Sequence, residues 1–153
     1  MRATAIVGAV LLLAARAAAA QPSPKIQVAI EAEGTGPAAN DAAARLGEEL
    51  RKGLAAASDV EIVSRVDARR VIRIIVSVAD GVYGASLLVT EQYDRPTLMV
   101  LGIEDDDLAG RMLMLQIVNE HQGFAGRDLA DIGRRIVATL DDGLFKSLRA
   151  LRR

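Results

Sequence analysis

Hydrophobic and polar residues alternate at the start of the main body of the chain and then change to helical spacing. Between Lys25 and Ala32, three β-branched residues alternate with small or polar ones: Ile26, Val28 and Ile30. This two-residue period predicts a half-buried strand. After a break at residues 33–37, apolar residues recur at three- and four-residue spacing: Ala43, Leu46, Leu50, Leu54 and Ala57. That period predicts an amphipathic helix, which Asn40 can cap and Ser58-Asp59 ends.

Four further strands are predicted after this helix. They cover Val60 to Ser64, Arg69 to Ala79, Ala85 to Tyr93 and Thr97 to Ile103. Asp80-Gly81 and Gly84 predict a tight reversal, and residues 94–96 predict a second turn. The last strand is continuously apolar over residues 98–101, so we expect it to be covered on both faces. Successive strands joined by short turns favour an α+β fold with a largely antiparallel sheet of about five strands and helices packed on one face.

The last third of the chain is predicted to be mainly helical. Arg111–Val118 suits either a helix or a short strand, and we favour the helix because Glu104–Asp107 stand where a helix N-terminus attracts acids. Residues 121–126 contain two glycines and predict a loop. From Asp128 to about Leu151, one apolar stripe predicts a long terminal helix: Leu129, Ile132, Ile136, Leu140, Leu144 and Leu148.

The first twenty residues have the features of a signal peptide. Arg2 precedes an apolar run from Ala5 to Ala15, and Ala18-x-Ala20 offers the small residues that signal peptidase accepts. Cleavage near Ala20 would leave a linker over residues 21–24 and a single domain over residues 25–153, located in the periplasm or secreted. The alternative is an uncleaved membrane anchor, but the apolar run is short for a bilayer span. We expect no transmembrane span once the leader is removed.

Composition excludes several classes of protein. The chain has 153 residues, no Cys and 51% hydrophobic residues. A disulfide scaffold, a cysteine nucleophile and a Cys-ligated zinc site are therefore excluded, and so is a mainly disordered chain. Without the leader, 17 basic and 20 acidic residues remain, a net charge of −3. Such a balance argues against nucleic acid as the partner.

Two short motifs have a chemical and a structural interpretation. Gly34 to Ala39 fits the G-x-G-x-x-A pattern of dinucleotide-binding loops. A plain strand-to-helix connection is the better interpretation, because Pro37 interrupts the loop and strand–helix–strand units do not recur. Glu104–Asp107 offer carboxylates to a hard cation, but consecutive acids at a helix start more often serve the helix itself. We therefore predict no cofactor and no metal.

His121 is the only histidine and the only candidate general base of that type. A hydrolase would need to pair it with Ser64, Ser77, Ser86, Ser147 or a threonine, and no G-x-S-x-G motif is present. We interpret His121 as a capping or loop residue and predict no catalytic residue. Arg149, Arg152 and Arg153 make a basic C-terminal end, which suits a helix C-terminus and is the candidate contact with an acidic partner.

The order of these elements resembles the small α/β domain at the amino terminus of the TolB translocation proteins and related envelope assembly proteins. The segments that carry the resemblance are Lys25 to Ile30, Asp41 to Ala57, Val60 to Ser64, Val71 to Asp80, Leu87 to Arg95 and Leu129 to Ile136. The resemblance implies a non-catalytic, protein-binding envelope module. The propeller of that family has no counterpart in this sequence, and Glu104 to Val118 does not match the family's pattern.

Together these features favour an exported, non-enzymatic domain that acts through protein contact or envelope assembly. Its partner would be another envelope protein, bound by an exposed edge strand or by the basic terminal helix. Two alternatives remain open. One is a small-ligand-binding protein with a pocket between the sheet and the terminal helices, and the other is a hydrolase that uses His121.

Overall fold

The computed structural model describes residues 25–151. Five strands and several helices follow one another along the chain: β1 (Ile26–Gly34), α1 (Pro37–Ala55), β2 (Val60–Ile62), β3 (Arg70–Ala79), β4 (Val82–Gln92), α2 (Arg95–Val100), α3 (Asp106–Leu113), β5 (Gln116–Gly126), α4 (Leu129–Leu140), a π-helical turn (Asp141–Phe145) and α5 (Lys146–Ala150). The structure confirms the predicted α+β class, the number of strands and the long terminal helix, which spans residues 129–150. The predicted leader and linker, with Arg152 and Arg153, lie outside the described residues.

The sheet is mixed, so the prediction of a largely antiparallel sheet was wrong. Its strand order is β2-β1-β3-β4-β5. β1 runs parallel to both β2 and β3, whereas β3, β4 and β5 are successively antiparallel. The physical reason is the connection: α1 carries the chain back along the sheet, so β2 starts at the same end as β1. Residues 63–69 then cross from one side of β1 to the other, because Ile62 of β2 and Arg70 of β3 are both register partners of Val28.

The reversal between β3 and β4 confirms the turn prediction at Asp80-Gly81. Both residues have positive φ, 50° and 71°. Positive φ at the two central residues defines a type I′ turn, whose twist matches that of the flanking strands. Gly84, also assigned to the reversal, lies in β4 instead and is paired with Ser77.

Two predictions after β4 were wrong: a predicted strand is a helix, and a predicted helix end with its loop is a strand. Thr97 to Ile103 is not a strand, because α2 occupies Arg95–Val100 and Asp94 caps it by accepting a hydrogen bond from the Thr97 amide at 2.8 Å. A capping Asp followed by Pro in the first turn is a strong helix start, and it overrides the apolar run. Conversely, the predicted helix over Arg111–Val118 ends with α3, and residues 116–126 form β5 rather than a helix end and a loop.

The hydrophobic core combines alternate strand residues with one stripe from each long helix. Its strand members are Ile26, Val28, Ile30, Val60, Ile72, Ile74, Val76, Ala85, Leu87, Val89 and Phe124. α1 contributes Leu46, Leu50 and Leu54, and α4 contributes Ile132, Ile136 and Leu140. Both helices contact strands, and they contact each other. Over residues 25–151, no helix has the length and apolar character needed to cross a membrane.

Candidate interaction surface

The chain leaves the sheet between β4 and β5 and returns to the place it left. Gln92, the last residue of β4, is the register partner of Gln116, the first residue of β5. A loop of about four residues, Gln92 and Gln116 included, suffices to join antiparallel strands here. The chain instead makes α2 and α3 over residues 93–115, which we call the excursion.

Arg69 fastens the start of the excursion to the sheet. Its guanidinium contacts Glu91 of β4 at 2.6 Å and Asp94 at 2.7 Å, and donates to the Thr97 hydroxyl at 3.3 Å. The side-chain hydrogen bond from Thr97 is the first cause of a lowered pKa of Asp94, followed by the Thr97 backbone amide and the charge of Arg69. Leu98 is buried. The excursion is therefore anchored at its beginning by one network of charges and one buried side chain.

Most of the exposed large hydrophobic residues lie on the excursion and on the strand that follows it. Ten large hydrophobic residues are exposed among those that the structure describes, and seven of them fall within residues 99–118. We call these seven the apolar patch: Met99, Val100, Leu101, Leu108, Met114, Leu115 and Val118. Val100 is 87% exposed and Met114 is 81% exposed. Exposed apolar residues scattered singly are ordinary, whereas seven within twenty residues of sequence make this stretch a candidate interaction surface.

Sequence reasoning missed the apolar patch because it interpreted residues 98–101 as a strand covered on both faces. In α2 only Leu98 of these is buried, since a helix directs neighbouring side chains to different sides. The signal that points to this arrangement is the sequence Asp94-Arg95-Pro96. It is a helix start, and a helix of six residues cannot cover four consecutive apolar side chains.

The acids of the excursion serve its helices and leave two carboxylates unengaged. Asp105 caps α3 through the Leu108 amide at 2.6 Å, and Asp106 contacts Arg95 at 2.9 Å. Glu104 and Asp107 make no ion pair with any residue from 25 to 151, and both are exposed. Within that range, no group of three or more His, Asp or Glu side chains is placed to hold a metal ion.

β5 forms a long open edge of the sheet. It has 11 residues and pairs only with β4 among the described strands, whereas the other edge, β2, has three residues. Asn119 is an extra residue opposite the Val89/Thr90 step and makes a bulge there. From Glu120 to Gly126 the strand contains neither Lys nor Pro, the residues that usually prevent an edge from pairing with another chain.

His121 lies on this edge strand, exposed, and not in a loop as predicted. Its Nε2 is 3.3 Å from the hydroxyl of Ser86, one of the four serines considered as its partner. Among residues 25–151 no carboxylate forms a hydrogen bond with the imidazole to orient it. Ser86 and His121 come from neighbouring strands on an open surface, so their contact supports a cross-strand hydrogen bond better than a hydrolytic site.

The G-x-G-x-x-A motif forms the turn between β1 and α1. The Gly34 amide donates to the Asn40 side chain at 3.2 Å, and the Thr35 amide donates to the Val76 carbonyl at 2.9 Å. The side chain of Asn40 therefore stabilises this turn. The prediction that Asn40 caps α1 was wrong, because Gly36 occupies the N-cap position. Two backbone donors of the loop already bond within the protein, and amides engaged in this way do not cradle a phosphate.

Arg149, the described member of the predicted basic end, is bonded within the fold. Its guanidinium donates to both carboxylate oxygens of Asp59, at 2.7 and 3.0 Å, and to Asp141 at 2.7 Å. The hydrogen bond with Asp59, then that with Asp141, raises the pKa of Arg149 above its already high ordinary value. This contact ties the terminal helix to the segment between α1 and β2.

A groove of about 650 Å³ runs between α1 and α4. Small and apolar residues line it, among them Gly53, Ala57, Gly133, Val137 and Phe145. Of its charged residues, Lys52 is paired with Glu49 at 3.0 Å and Arg134 with Asp131 at 3.1 Å. The groove offers apolar surface with internally balanced charge.

Comparison with known protein families, with characterised proteins and with solved structures finds no match for this chain.

Proposed function

We propose that this protein is an exported, non-catalytic domain that binds another protein of the cell envelope through the excursion and the adjoining edge of β5. The observation that carries the proposal is the apolar patch, seven exposed large side chains within residues 99–118. The pattern-level resemblance to the amino-terminal domain of the TolB family supports the same class of function. Export follows from the predicted leader and belongs to the proposal.

Burial of the apolar patch supplies the free energy for binding. Covering one large apolar side chain contributes about 1.5–3 kcal/mol relative to leaving it in water. Association and side-chain ordering oppose this gain by about 4–15 kcal/mol, so several such side chains must be covered together. The seven exposed side chains within residues 99–118 supply enough apolar groups for that, whereas an isolated exposed residue such as Leu151 does not.

The edge of β5 supplies backbone hydrogen bonds to a partner's extended segment. Arg135 donates to the Ala125 carbonyl at 3.1 Å, from which we infer that this carbonyl faces the open side of β5. Strand alternation then places the N–H of Gly123 on the same open side. A partner strand added here would extend the sheet, which is a common mode of peptide recognition.

A photo-reactive phenylalanine analogue at position 122 of β5 tests this function in native cells. Gln122 is exposed, and so is Asp41 of α1, which gives a matched control position outside the excursion and β5. We expect a discrete crosslinked product from position 122 and none from position 41. A product of equal yield at both positions, or no product at either, would contradict the proposal.

Two substitutions of Gly123 separate backbone pairing from side-chain contact. Gly123→Pro removes the outward N–H and is tolerated at an edge, whereas Gly123→Ala keeps the N–H. A Cβ at position 123 meets no atom within 4 Å, so the alanine does not disturb the packing. We expect the crosslinked product to be lost with Pro and retained with Ala, while both variants keep the melting temperature within a few degrees. Retention in both variants would exclude strand addition at this residue.

The groove between α1 and α4 favours a second candidate function, the binding of a small apolar ligand. Its volume of about 650 Å³ lies in the range of ligand pockets. A ligand that binds the folded state raises the melting temperature with its concentration. A metabolite screen by thermal shift therefore tests this candidate. The matched variant is Ala138→Trp, which fills the groove and should abolish the shift.

A further inference from the structure

We propose that the partner segment that covers the apolar patch is basic as well as apolar, a stretch in which Lys or Arg stand beside large hydrophobic residues. This inference rests on the proposed function and names the chemistry of the partner. The inference is based on the charge of the excursion, which is an observation separate from the fold and from the apolar patch.

The excursion is strongly acidic for its size. Residues 93–115 contain five acids and two arginines, a net charge of −3. Arg95 is paired with Asp106, and Asp94 is paired with Arg69 outside the excursion, which leaves three acids without an ion pair among residues 25–151: Glu104, Asp105 and Asp107. Glu104 and Asp107 stand in the sequence between Leu101 and Leu108, two members of the apolar patch, and both carboxylates are exposed. Acidic and apolar groups are therefore interleaved in the same stretch of chain.

This charge selects among the surfaces that can cover the patch. A surface of opposite sign gains Coulomb attraction and orients the encounter, whereas like charges facing each other are costly. A second copy of the excursion carries the same net charge and is disfavoured. An anionic lipid surface is disfavoured for the same reason, since polybasic and not polyacidic segments bind it. A basic apolar segment of another protein satisfies both features.

Binding to defined peptides tests the proposal with the full mature chain. One probe is a fluorescent amphipathic peptide of leucine and lysine, and the second is its leucine–glutamate counterpart of the same length. We expect fluorescence anisotropy to show binding of the lysine peptide only, weakening as salt is added, because exposed charges are screened. Equal binding of the glutamate peptide would overturn the proposal.

Paired substitutions show whether binding uses the excursion. Glu104→Gln with Asp107→Asn removes two unpaired charges without touching the caps, and should weaken binding about three- to tenfold at low salt. Val100→Ser with Met114→Ser should weaken it at least tenfold, since both side chains are more than 80% exposed in the free protein and contribute little to the fold. The controls are Asp41→Asn with Asp142→Asn, and Leu151→Ser. An equal loss of binding in a control variant would show that the peptide binds nonspecifically to charged or apolar surface, and this would overturn the proposal.

Two further measurements detect the other occupants. Sedimentation with phosphatidylglycerol vesicles detects lipid binding, and sedimentation equilibrium detects a dimer. If Val100→Ser with Met114→Ser abolishes binding to vesicles, a lipid surface covers the patch. If it abolishes a dimer, a second copy of the chain covers it. Either result would overturn the proposal of a basic segment. The crosslink from position 122 keeps the two proposals distinguishable: if it forms and the lysine peptide does not bind, the partner chemistry is wrong and the protein-contact function stands.

Discussion

At the scale of single residues, Gly34 shows how closely the first strand and the first helix are joined. A Cβ built at this position would lie 2.3 Å from the backbone carbon of Ala39 and 2.3 Å from the backbone nitrogen of Asn40. Backbone atoms of a helix cannot move aside as a flexible side chain can. Close packing by itself requires a glycine here, which gives the motif a structural explanation.

Gly34→Ala should therefore destabilise the protein, by about 2 kcal/mol or more, because the first turn of α1 must shift to admit the methyl group. Chemical denaturation measures the change. Gly110→Ala is the matched control, since Gly110 lies within α3 and a Cβ there meets no atom within 4 Å. That substitution should be neutral or should stabilise by up to about 1 kcal/mol. Equal effects of both substitutions would show that Gly34 is not constrained.

Asp94 contributes a pH-dependent part of the stability. Its pKa in the folded protein lies below the ordinary value of 3.8 because the charged form is favoured by the Thr97 hydrogen bonds and by Arg69. A lowered folded-state pKa means that the contribution is fully present above pH 3.8 and is lost as the pH falls through the folded-state value.

Asp94→Asn keeps a capping oxygen and removes the charge. At neutral pH we expect the variant to be less stable by less than about 1 kcal/mol, since the Arg69–Asp94 pair is partly exposed. Below the folded-state pKa of Asp94 the two proteins should converge in stability. Urea denaturation from pH 2.5 to 7 measures the difference; a constant difference would contradict the assignment.

At the scale of elements, the terminal helix changes its period where the core requires it. The sequence stripe predicts that Leu144 follows Leu140 in the core. The π-helical turn at Asp141–Phe145 instead brings Phe145 inward, with 1% of its surface exposed, while Leu144 is only partly buried. A π turn inserts one residue into the helical period, and the larger aromatic side chain thereby takes the core position.

Phe145→Ala should thus cost more than Leu144→Ala. We expect a loss of about 3–4 kcal/mol for Phe145→Ala, because it leaves a cavity among packed residues, and less than half of that for Leu144→Ala. Equilibrium unfolding of the two variants gives the ranking. The reverse ranking would mean that the helix continues with a regular period.

Regular elements with strong local signals were predictable, and those that depend on a neighbour were not. β1, β3 and the turn at Asp80-Gly81 carry a clear period or turn chemistry. β5 is polar and glycine-containing, with one buried residue, Phe124. Its strand conformation depends on pairing with β4, because β-propensity is set largely by the strand's environment. The sequence of residues 116–126 contains no pattern that predicts pairing with β4.

At the scale of the whole molecule, the excursion is an insertion into an otherwise complete sheet. Gln92 and Gln116 are paired, so the strands that flank it are already in place for a direct turn. Segment 63–69 has a different task, because it connects β2 and β3, which are not neighbours and run in the same direction. The two segments therefore tolerate shortening very differently.

Replacing residues 93–115 by Asn-Gly, which makes a four-residue loop together with Gln92 and Gln116, should leave a cooperatively folding domain. We expect it to be less stable by about 2–4 kcal/mol, since burial of Leu98 and the contacts of Arg69 with Asp94 and Thr97 are lost. The same replacement of residues 63–69 should prevent folding, because two residues cannot connect parallel strands. Circular dichroism and thermal unfolding distinguish the two. Failure of the first variant to fold would show that the excursion belongs to the core.

The sequence by itself determined the α+β class, the positions of β1, α1, β3 and the terminal helix, and the exclusion of cysteine chemistry. These follow from periodicity and residue type, which act over a few neighbouring positions. Tertiary structure alone decided the parallel pairing of β1, the conformation of β5 and the exposure of the apolar patch. Each of these depends on which distant segment covers or pairs with a given residue, and local pattern contains no record of that partner. The candidate interaction surface depends on such distant contacts, so only the tertiary structure identifies it.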